Sequence, residues 1–217
     1  MTIHRHHILL AAALIVAVLT TPAQARTIRD FFASEPGHIF ALLPSNTRLD
    51  LLDYYDSGQI VEAQNNLGDA TSLISVSDTL LAMNTSESKM LQMRLLTRQG
   101  GRDTVIAVIE TVKTPVPDSR ITFYDTQWRP LPASRYFKAP GIDDFFLRTT
   151  PRATRQELVR SLPFALIELQ FEGKDRLTAR HGLEKFLSKE EFGKFRPHMV
   201  DSLVYQVNGN KIKPAGQ

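Results

Sequence analysis

The order of apolar and polar residues changes its period near residue 60. Between residues 27 and 57, apolar residues recur every three or four positions, which is the spacing of one helix face. This spacing predicts two short helices, one on each side of Pro36, and a longer third helix. The third helix is predicted to begin at Ser45 or Asn46 as N-cap and to end near Gly58.

Beyond residue 60, the period is that of strands. Leu91, Met93 and Leu95 alternate with polar residues, which predicts a strand with one face in the core and the other in water. Residues 104–112 are nearly all apolar or β-branched, so they are predicted to form a central strand covered on both faces. Further strands are predicted at residues 71–76, 120–125, 165–171, 176–179 and 202–207.

The connections are less regular. Residues 127–144 carry three prolines and have no period, which predicts a long irregular connection. Helices are predicted at residues 154–162 and within 183–195, and the Asn208-Gly209 pair predicts a type I′ hairpin turn.

These elements predict an α+β fold. Short turns between strands favour a mostly antiparallel sheet, with helices packed on one face and the N-terminal helices against residues 104–112. Residues 26–217 are predicted to form a single domain. A helix, a strand and a glycine turn occur in the same order in both halves of the chain. Residues 26–145 and 146–217 are therefore possible repeated α-β modules. Alternatively, the two halves resemble each other by chance.

The N-terminal residues have the three-part order of a cleavable signal peptide. A positive start is followed by an apolar run from Ile8 to Leu19, then by Pro22 and small residues that place the cleavage between Ala25 and Arg26. The run is shorter than the about 20 residues that a membrane span needs. No later segment is apolar enough to span, so export to the periplasm or the extracellular space is expected.

The composition excludes several classes of protein. The 217 residues include no Cys, which excludes a lipid anchor on Cys, disulfides, thiolate metal sites and Cys nucleophiles. The net charge of +3 is too small to indicate nucleic acid as a partner. The histidines that follow the signal peptide show no ligand spacing, and no cofactor motif occurs, so neither a metal site nor a cofactor is predicted.

Two polar segments are candidates for function. Asp50 and Asp53 lie three residues apart on the third helix, where they could serve a hydrolase; alternatively they belong to a solvated face on which Arg48 pairs locally. Residues 118–128 mix charged, aromatic and hydroxyl side chains, which suits recognition of a sugar or peptide; alternatively the aromatic residues are core and the carboxylates cap turns. The predicted binding residues are Tyr54, Asp118, Arg120, Tyr124 and Trp128.

The same two segments resemble an exported family of Bacteroidetes bacteria that is known only as a domain of unknown function. The first is Arg48-Leu49-Asp50 running into Asp53-Tyr54-Tyr55, and the second is residues 118–125 with Trp128. The resemblance covers most of the chain after the signal peptide. It implies a periplasmic or surface protein of a Gram-negative cell, and it implies no activity, cofactor or catalytic residue.

Three functional hypotheses follow. Because the common catalytic motifs are absent from the sequence, the leading one is a non-catalytic envelope protein that binds a peptide, a glycan or a partner protein. The second is an exported hydrolase acting on glycans through Asp50, Asp53 or Asp125. The third is an assembly or inhibitor-like protein that pairs through a sheet edge.

Overall fold

A computed structural model describes residues 25–59, 61–98, 103–162 and 164–215. It contains two antiparallel sheets. The larger sheet has the strand order β1 to β7: Ala63–Gln64, Ala70–Val76, Leu80–Asn84, Lys89–Leu96, Val105–Val112, Asp118–Tyr124 and Pro130–Leu131. The smaller sheet has the order β11-β10-β9-β8, with β8 to β11 at Ile167–Glu172, Arg176–His181, Ser202–Asn208 and Lys211–Pro214.

Outside the strands, the regular structure of the described residues is helical. The α-helices α1 to α5 are Ile28–Ala33, Ser45–Asp56, Arg152–Arg160, Leu183–Phe186 and Lys189–Phe195. Three short 3₁₀ helices lie at Ala133–Arg135, Ile142–Phe145 and Arg196–His198. The predicted α+β class with antiparallel pairing is confirmed, since all strands in both sheets pair with their neighbours in sequence.

Strand β5 is central, as predicted, and both of its faces are buried. Ile106 and Val108 share a core with α1 and α2, but these helices pack chiefly on β2, β3 and β4 rather than on β5 as predicted. Ala107 and Ile109 point the other way, into a second core that includes the smaller sheet. The larger sheet therefore lies between a helical layer and a second sheet, where the sequence predicted one sheet with helices on one face.

The second sheet changes the environment of β4. The polar face of this strand was expected in water, but Gln92 and Arg94 are 5% and 3% exposed because β8 covers them. The Gln92 side chain accepts a hydrogen bond from the Phe171 N–H at 2.8 Å and donates one to the Phe171 carbonyl at 3.2 Å. Arg94 Nη1 donates to the Gly173 carbonyl at 2.8 Å. The Gln92 amide is therefore satisfied across the two sheets, whereas Arg94 bonds through Nη1 and its Nε is buried without a partner in the described residues.

The same edge of β8 receives two further side chains of the larger sheet. The Ile167 N–H donates to Asp118 Oδ1 at 3.1 Å, and the Leu169 N–H donates to Ser119 Oγ at 2.9 Å. Together with Gln92, these groups satisfy alternate N–H groups along the strand. The free edge of β8 is thereby closed by side chains rather than by another strand.

Two local predictions were wrong, and one strand was missed. Residues 39–43 form bends and turns rather than a second short helix. Strand β3 was not predicted. The two residues of the β10–β11 turn are Gly209 and Asn210, one position later than predicted, and only Gly209 has a positive φ (61°), which excludes a type I′ turn. Duplication of the two halves stays a prediction, and residues 1–24 of the predicted signal peptide lie outside the described residues.

Candidate functional site

A groove of about 420 Å³ opens on the helix-covered side of the larger sheet. It lies between the segment 39–43, the β1–β2 turn and the β3–β4 turn, with Leu91 beneath it. Leu42 and Leu67 line it and are 43% and 71% exposed, so both offer apolar surface to a ligand in the groove. We call this feature the leucine groove.

One side of the leucine groove is shaped by Glu35, which is 2% exposed. Its carboxylate accepts hydrogen bonds from the N–H groups of Gly37, His38, Ile39 and Phe40, at 2.8, 2.6, 2.9 and 3.3 Å. A carboxylate with this many donors holds the backbone in a bend. This arrangement explains why the segment does not form the predicted helix.

Arg48 holds the residues around Glu35 in place as well. Its guanidinium lies 3.3 Å from Glu35 Oε2 and donates to the carbonyls of Glu35, Ala33 and Leu43 at 2.6, 3.1 and 3.3 Å. Burial lowers the pKa of Arg48, and the charge of Glu35 partly opposes this shift. Asp50 and Asp53 lie on an exposed face of α2, as the alternative interpretation held, but Arg48 is 3% exposed and does not belong to that face.

The other side of the leucine groove is fixed by Asn65. Its Oδ1 accepts from the N–H groups of Leu67 and Asp69 at 2.9 and 3.0 Å, and its Nδ2 donates to the Thr85 carbonyl at 3.3 Å. Thr71 Oγ1 donates to the same carbonyl at 3.2 Å. The β1–β2 and β3–β4 turns are thus tied together, and the groove is formed without a ligand.

The open end of the leucine groove carries opposite charges. Lys89 Nζ lies 3.5 Å from Glu110 Oε1, and both side chains are partly exposed. Arg120 is opposite Glu110 in the β5–β6 register, so it is the predicted binding residue nearest to the groove along the sheet. Arg120 is exposed, and its charge can contact a ligand that extends past Glu110.

The other predicted binding residues lie elsewhere. Tyr124 and Trp128 are in contact, with ring centroids 5.6 Å apart, but Trp128 is only 6% exposed and belongs to the core. Asp118 bonds to the backbone of β8. Tyr54 is 38% exposed on α2. The structure therefore brings Tyr124 and Trp128 together, and it does not unite all five residues at one surface.

Comparison with known proteins places the chain in a family. Residues 20–212 match the model of the family described as "Protein of unknown function (DUF3256)". The chain belongs to the DUF3256 family. Its fold is similar to that of a domain of an uncharacterized protein from Porphyromonas gingivalis W83, with a TM-score of 0.75 and 25% identity, over 88% of this chain and 98% of that one. No curated protein matches the chain.

The predicted resemblance to a family of unknown function is confirmed at this level, with a structural relative from a Bacteroidetes organism. Export and the importance of the two sequence motifs are not tested by these matches. In this DUF3256 protein, the first motif contributes Arg48 to the interior, and the second contributes Asp118 and Ser119 to the junction between the sheets.

The three carboxylates of the hydrolase hypothesis are not assembled in this DUF3256 protein. Asp50 and Asp53 are exposed on α2, which packs on β2, whereas Asp125 follows β6. Four strand positions separate β2 from β6, about 19 Å at the usual spacing. Glycosidase carboxylates lie about 5 to 10 Å apart.

Asp125 is also occupied by its own turn. It accepts from the N–H groups of Gln127 and Arg129, both at 2.9 Å, and pairs with Arg129 Nε at 2.6 Å. These bonds outweigh desolvation and lower the pKa of Asp125, which keeps it ionised. In the described parts of the chain, no three His, Asp or Glu side chains form a set of metal ligands, and no helix is long and apolar enough to cross a membrane.

Sequence reasoning missed the residues that shape the leucine groove. Glu35 precedes Pro36-Gly37, a turn signal at which an acidic side chain can accept backbone N–H groups. Asn65 stands two positions before the Leu67-Gly68-Asp69 turn, where Asn side chains commonly bond to the backbone. Each turn could be recognised from its own neighbouring residues, but neither sequence motif predicts that the two turns face one another.

Proposed function

We propose that this protein is a non-catalytic envelope protein that is exported by a cleavable signal peptide and binds a short segment of a peptide or partner protein in the leucine groove. The observation that carries the proposal is a preformed groove of about 420 Å³ with partly exposed Leu42 and Leu67 in its lining. Its volume is in the range of ligand pockets. A groove fixed by buried polar residues loses little conformational entropy when it binds.

The lining favours a peptide over a glycan. Sugar rings are commonly held on exposed aromatic faces, but Phe40, the aromatic residue of the described lining, is 4% exposed. Leucine side chains instead suit one apolar anchor residue of a polypeptide. Lys89, Glu110 and Asp69 lie near enough to meet charged neighbours of that anchor.

Pairing through a sheet edge has less support. The larger sheet ends in β1 and β7, which have two residues each, and β2 carries a register shift between Leu73 and Ser75. In the smaller sheet, side chains close the edge of β8 and lysines occupy β11. Short, bulged or charged edges oppose the addition of another strand.

The groove is tested with a displayed library of random peptides against the purified protein. Wild type is expected to enrich peptides that share an apolar anchor residue, and Leu67→Asp should weaken their binding at least tenfold because a carboxylate would be placed beside an apolar anchor. Leu49→Asp is the matched control, since Leu49 is 51% exposed on α2 and outside the groove. Affinity is measured by fluorescence anisotropy of labelled peptides.

Two results would count against this function. One is the absence of any enriched peptide class, and the other is an equal loss of affinity in the Leu67→Asp and Leu49→Asp variants. Thermal melting of both variants separates loss of the site from loss of the fold.

Export is tested by the mass of the protein recovered from envelope fractions. The processed chain is expected to begin at Arg26, whose guanidinium donates to Ser34 Oγ at 2.6 Å and lies 4.0 Å from the Phe31 ring centroid. Ala25→Phe should leave the precursor uncleaved, because signal peptidases require a small residue there. A full-length protein in the cytoplasm of wild-type cells would refute export.

A further inference from the structure

A second cavity, of about 1320 Å³, lies where the ends of the two sheets meet, and it shares no lining residue with the leucine groove. Its lining comes from the residues that follow β4 and lead into β5, from the turn after β6, from β7 and the connection after it, and from the β10–β11 hairpin. We call it the basic cleft, after Arg135, Lys211 and Lys213.

The positive charge of the basic cleft is not balanced by its own acids. Asp125 pairs with Arg129, and Asp103 lies 3.6 Å from Arg98 Nη1, so the two lining carboxylates already have cationic partners. Within the described residues, Arg135, Lys211 and Lys213 take part in no ion pair. Three charges that face one cavity attract an anion.

The backbone sets the spacing of two of these charges. Lys211 and Lys213 lie on one face of β11, while Ile212 between them is 4% exposed in the core. Residues two apart on a strand are separated by about 6.8 Å. The two ammonium groups are therefore suited to a ligand with repeated charges rather than to one small ion.

Hydroxyl and amide groups complete the lining. Thr104, Ser134 and Asn210 line the same cavity. Thr104 Oγ1 lies 3.2 Å from Thr97 Oγ1 and Asn210 Nδ2 donates to the Asp103 carbonyl at 3.5 Å, so their remaining donors and acceptors, with those of Ser134, are of the kind that sugar hydroxyls require. Tyr136 also lines the cleft, and its ring is stacked on Phe123 with centroids 5.2 Å apart. Since that ring is already stacked, the cleft is less suited to the base stacking that binds single-stranded nucleic acids.

We infer that the basic cleft binds an anionic oligosaccharide, a chain of sugars that carries carboxylate, sulfate or phosphate groups. This site is separate from the leucine groove and does not depend on peptide binding there. Charge attracts the ligand and the polar lining orients it, so affinity should fall as salt rises.

The inference is tested by calorimetric titration of the protein, expressed with its signal peptide and purified after processing. The probes are oligogalacturonate, sulfated dextran oligosaccharide, uncharged dextran and a single-stranded DNA of similar charge. Either charged sugar is expected to bind at low salt and to weaken as salt rises. A Lys211→Gln/Lys213→Gln variant should bind it at least tenfold more weakly.

The matched control is Lys185→Gln/Lys189→Gln, which removes two exposed lysines outside the cleft and should change affinity less than twofold. The inference is overturned if neither charged sugar binds, if uncharged dextran binds equally, or if the two double variants behave alike. DNA binding as tight as that of the sugars also overturns it, in favour of a nucleic-acid site. Leu67→Asp should leave sugar binding unchanged, which separates this site from the peptide-binding proposal.

Discussion

Trp128 holds a backbone conformation that is uncommon for a residue with a side chain. Its φ is 63°, at the last position of the turn between β6 and β7, where Trp128 N–H donates to the Asp125 carbonyl and Asp125 N–H donates to the Arg129 carbonyl. Glycine is the usual residue at this position of a three-residue hairpin loop. Here the same conformation directs the indole into the core against Tyr124.

Because a positive φ is unfavourable for a residue with a side chain, the glycine variant at position 128 is expected to be more stable than the alanine variant. Trp128→Ala should destabilise the fold by about 3 to 5 kcal/mol through lost packing. Trp128→Gly loses the same packing but relieves the positive φ, so it should be more stable than Trp128→Ala by about 1 kcal/mol. Urea unfolding monitored by circular dichroism measures both. An alanine variant as stable as the glycine variant would show that the backbone is not strained.

At the scale of the elements, Gly182 and Gly193 differ in how closely other parts of the chain approach them. Gly182 joins β9 to α4, and a Cβ atom added there would overlap Cγ1 of Val116, a buried residue before β6. Gly193 lies within α5, and a Cβ atom added there would have no neighbouring atom within 4 Å. One glycine is therefore required for the contact between the two sheets, and the other is not.

Opposite effects are expected from the same substitution at these two sites. Gly182→Ala should destabilise by about 1 to 3 kcal/mol because it overpacks the junction. Gly193→Ala should stabilise by about 0.5 to 1 kcal/mol because alanine favours a helix. Urea midpoints report both changes.

Val116→Ala is the control for the first change, because it removes the overlapping methyl group. The cost of Gly182→Ala should be smaller in the Val116→Ala background than in wild type. An equal cost in both backgrounds would show that the overlap is not the cause.

At the scale of the whole molecule, the imidazole of His181 beside the second core couples the stability of the fold to pH. His181 of β9 packs between Phe145 and Phe192, with centroid distances of 5.2 and 6.4 Å, and both of its ring nitrogens are buried. Burial lowers the pKa of His181, and the charges of Asp201 and Glu184 together with the backbone of Val200 only partly oppose this shift.

Because its pKa is lower in the folded state, protonation of His181 favours unfolding. The contribution of neutral His181 to the free energy of unfolding should be constant above about pH 6.5, the ordinary pKa of histidine in an unfolded chain. It should decline as the pH falls from there to the lower pKa of His181 in the folded state. His181→Phe should flatten the pH dependence of the urea midpoint in this range. Identical curves for wild type and His181→Phe would contradict the assignment.

Much of the fold could be predicted from the sequence, and the candidate site could not. Strand β5 is a long apolar run and helix α2 is bounded by Pro44 and Gly58, so the local sequence identified both within one or two residues. Arg120 was predicted and lies beside the groove in the sheet register. Glu35 and Asn65, which shape the groove, are isolated polar residues in turns and have no period to reveal them.

The sequence by itself determined most of the helices, most of the strands and their antiparallel order, because these depend on neighbours a few positions apart. Only the tertiary structure decided that a second sheet covers the polar face of β4. Gln92 bonds to Phe171, 79 positions further along the chain, and an alternating pattern cannot distinguish a partner so distant from water. The leucine groove and the basic cleft arise in the same way, from segments that only the folded chain brings together.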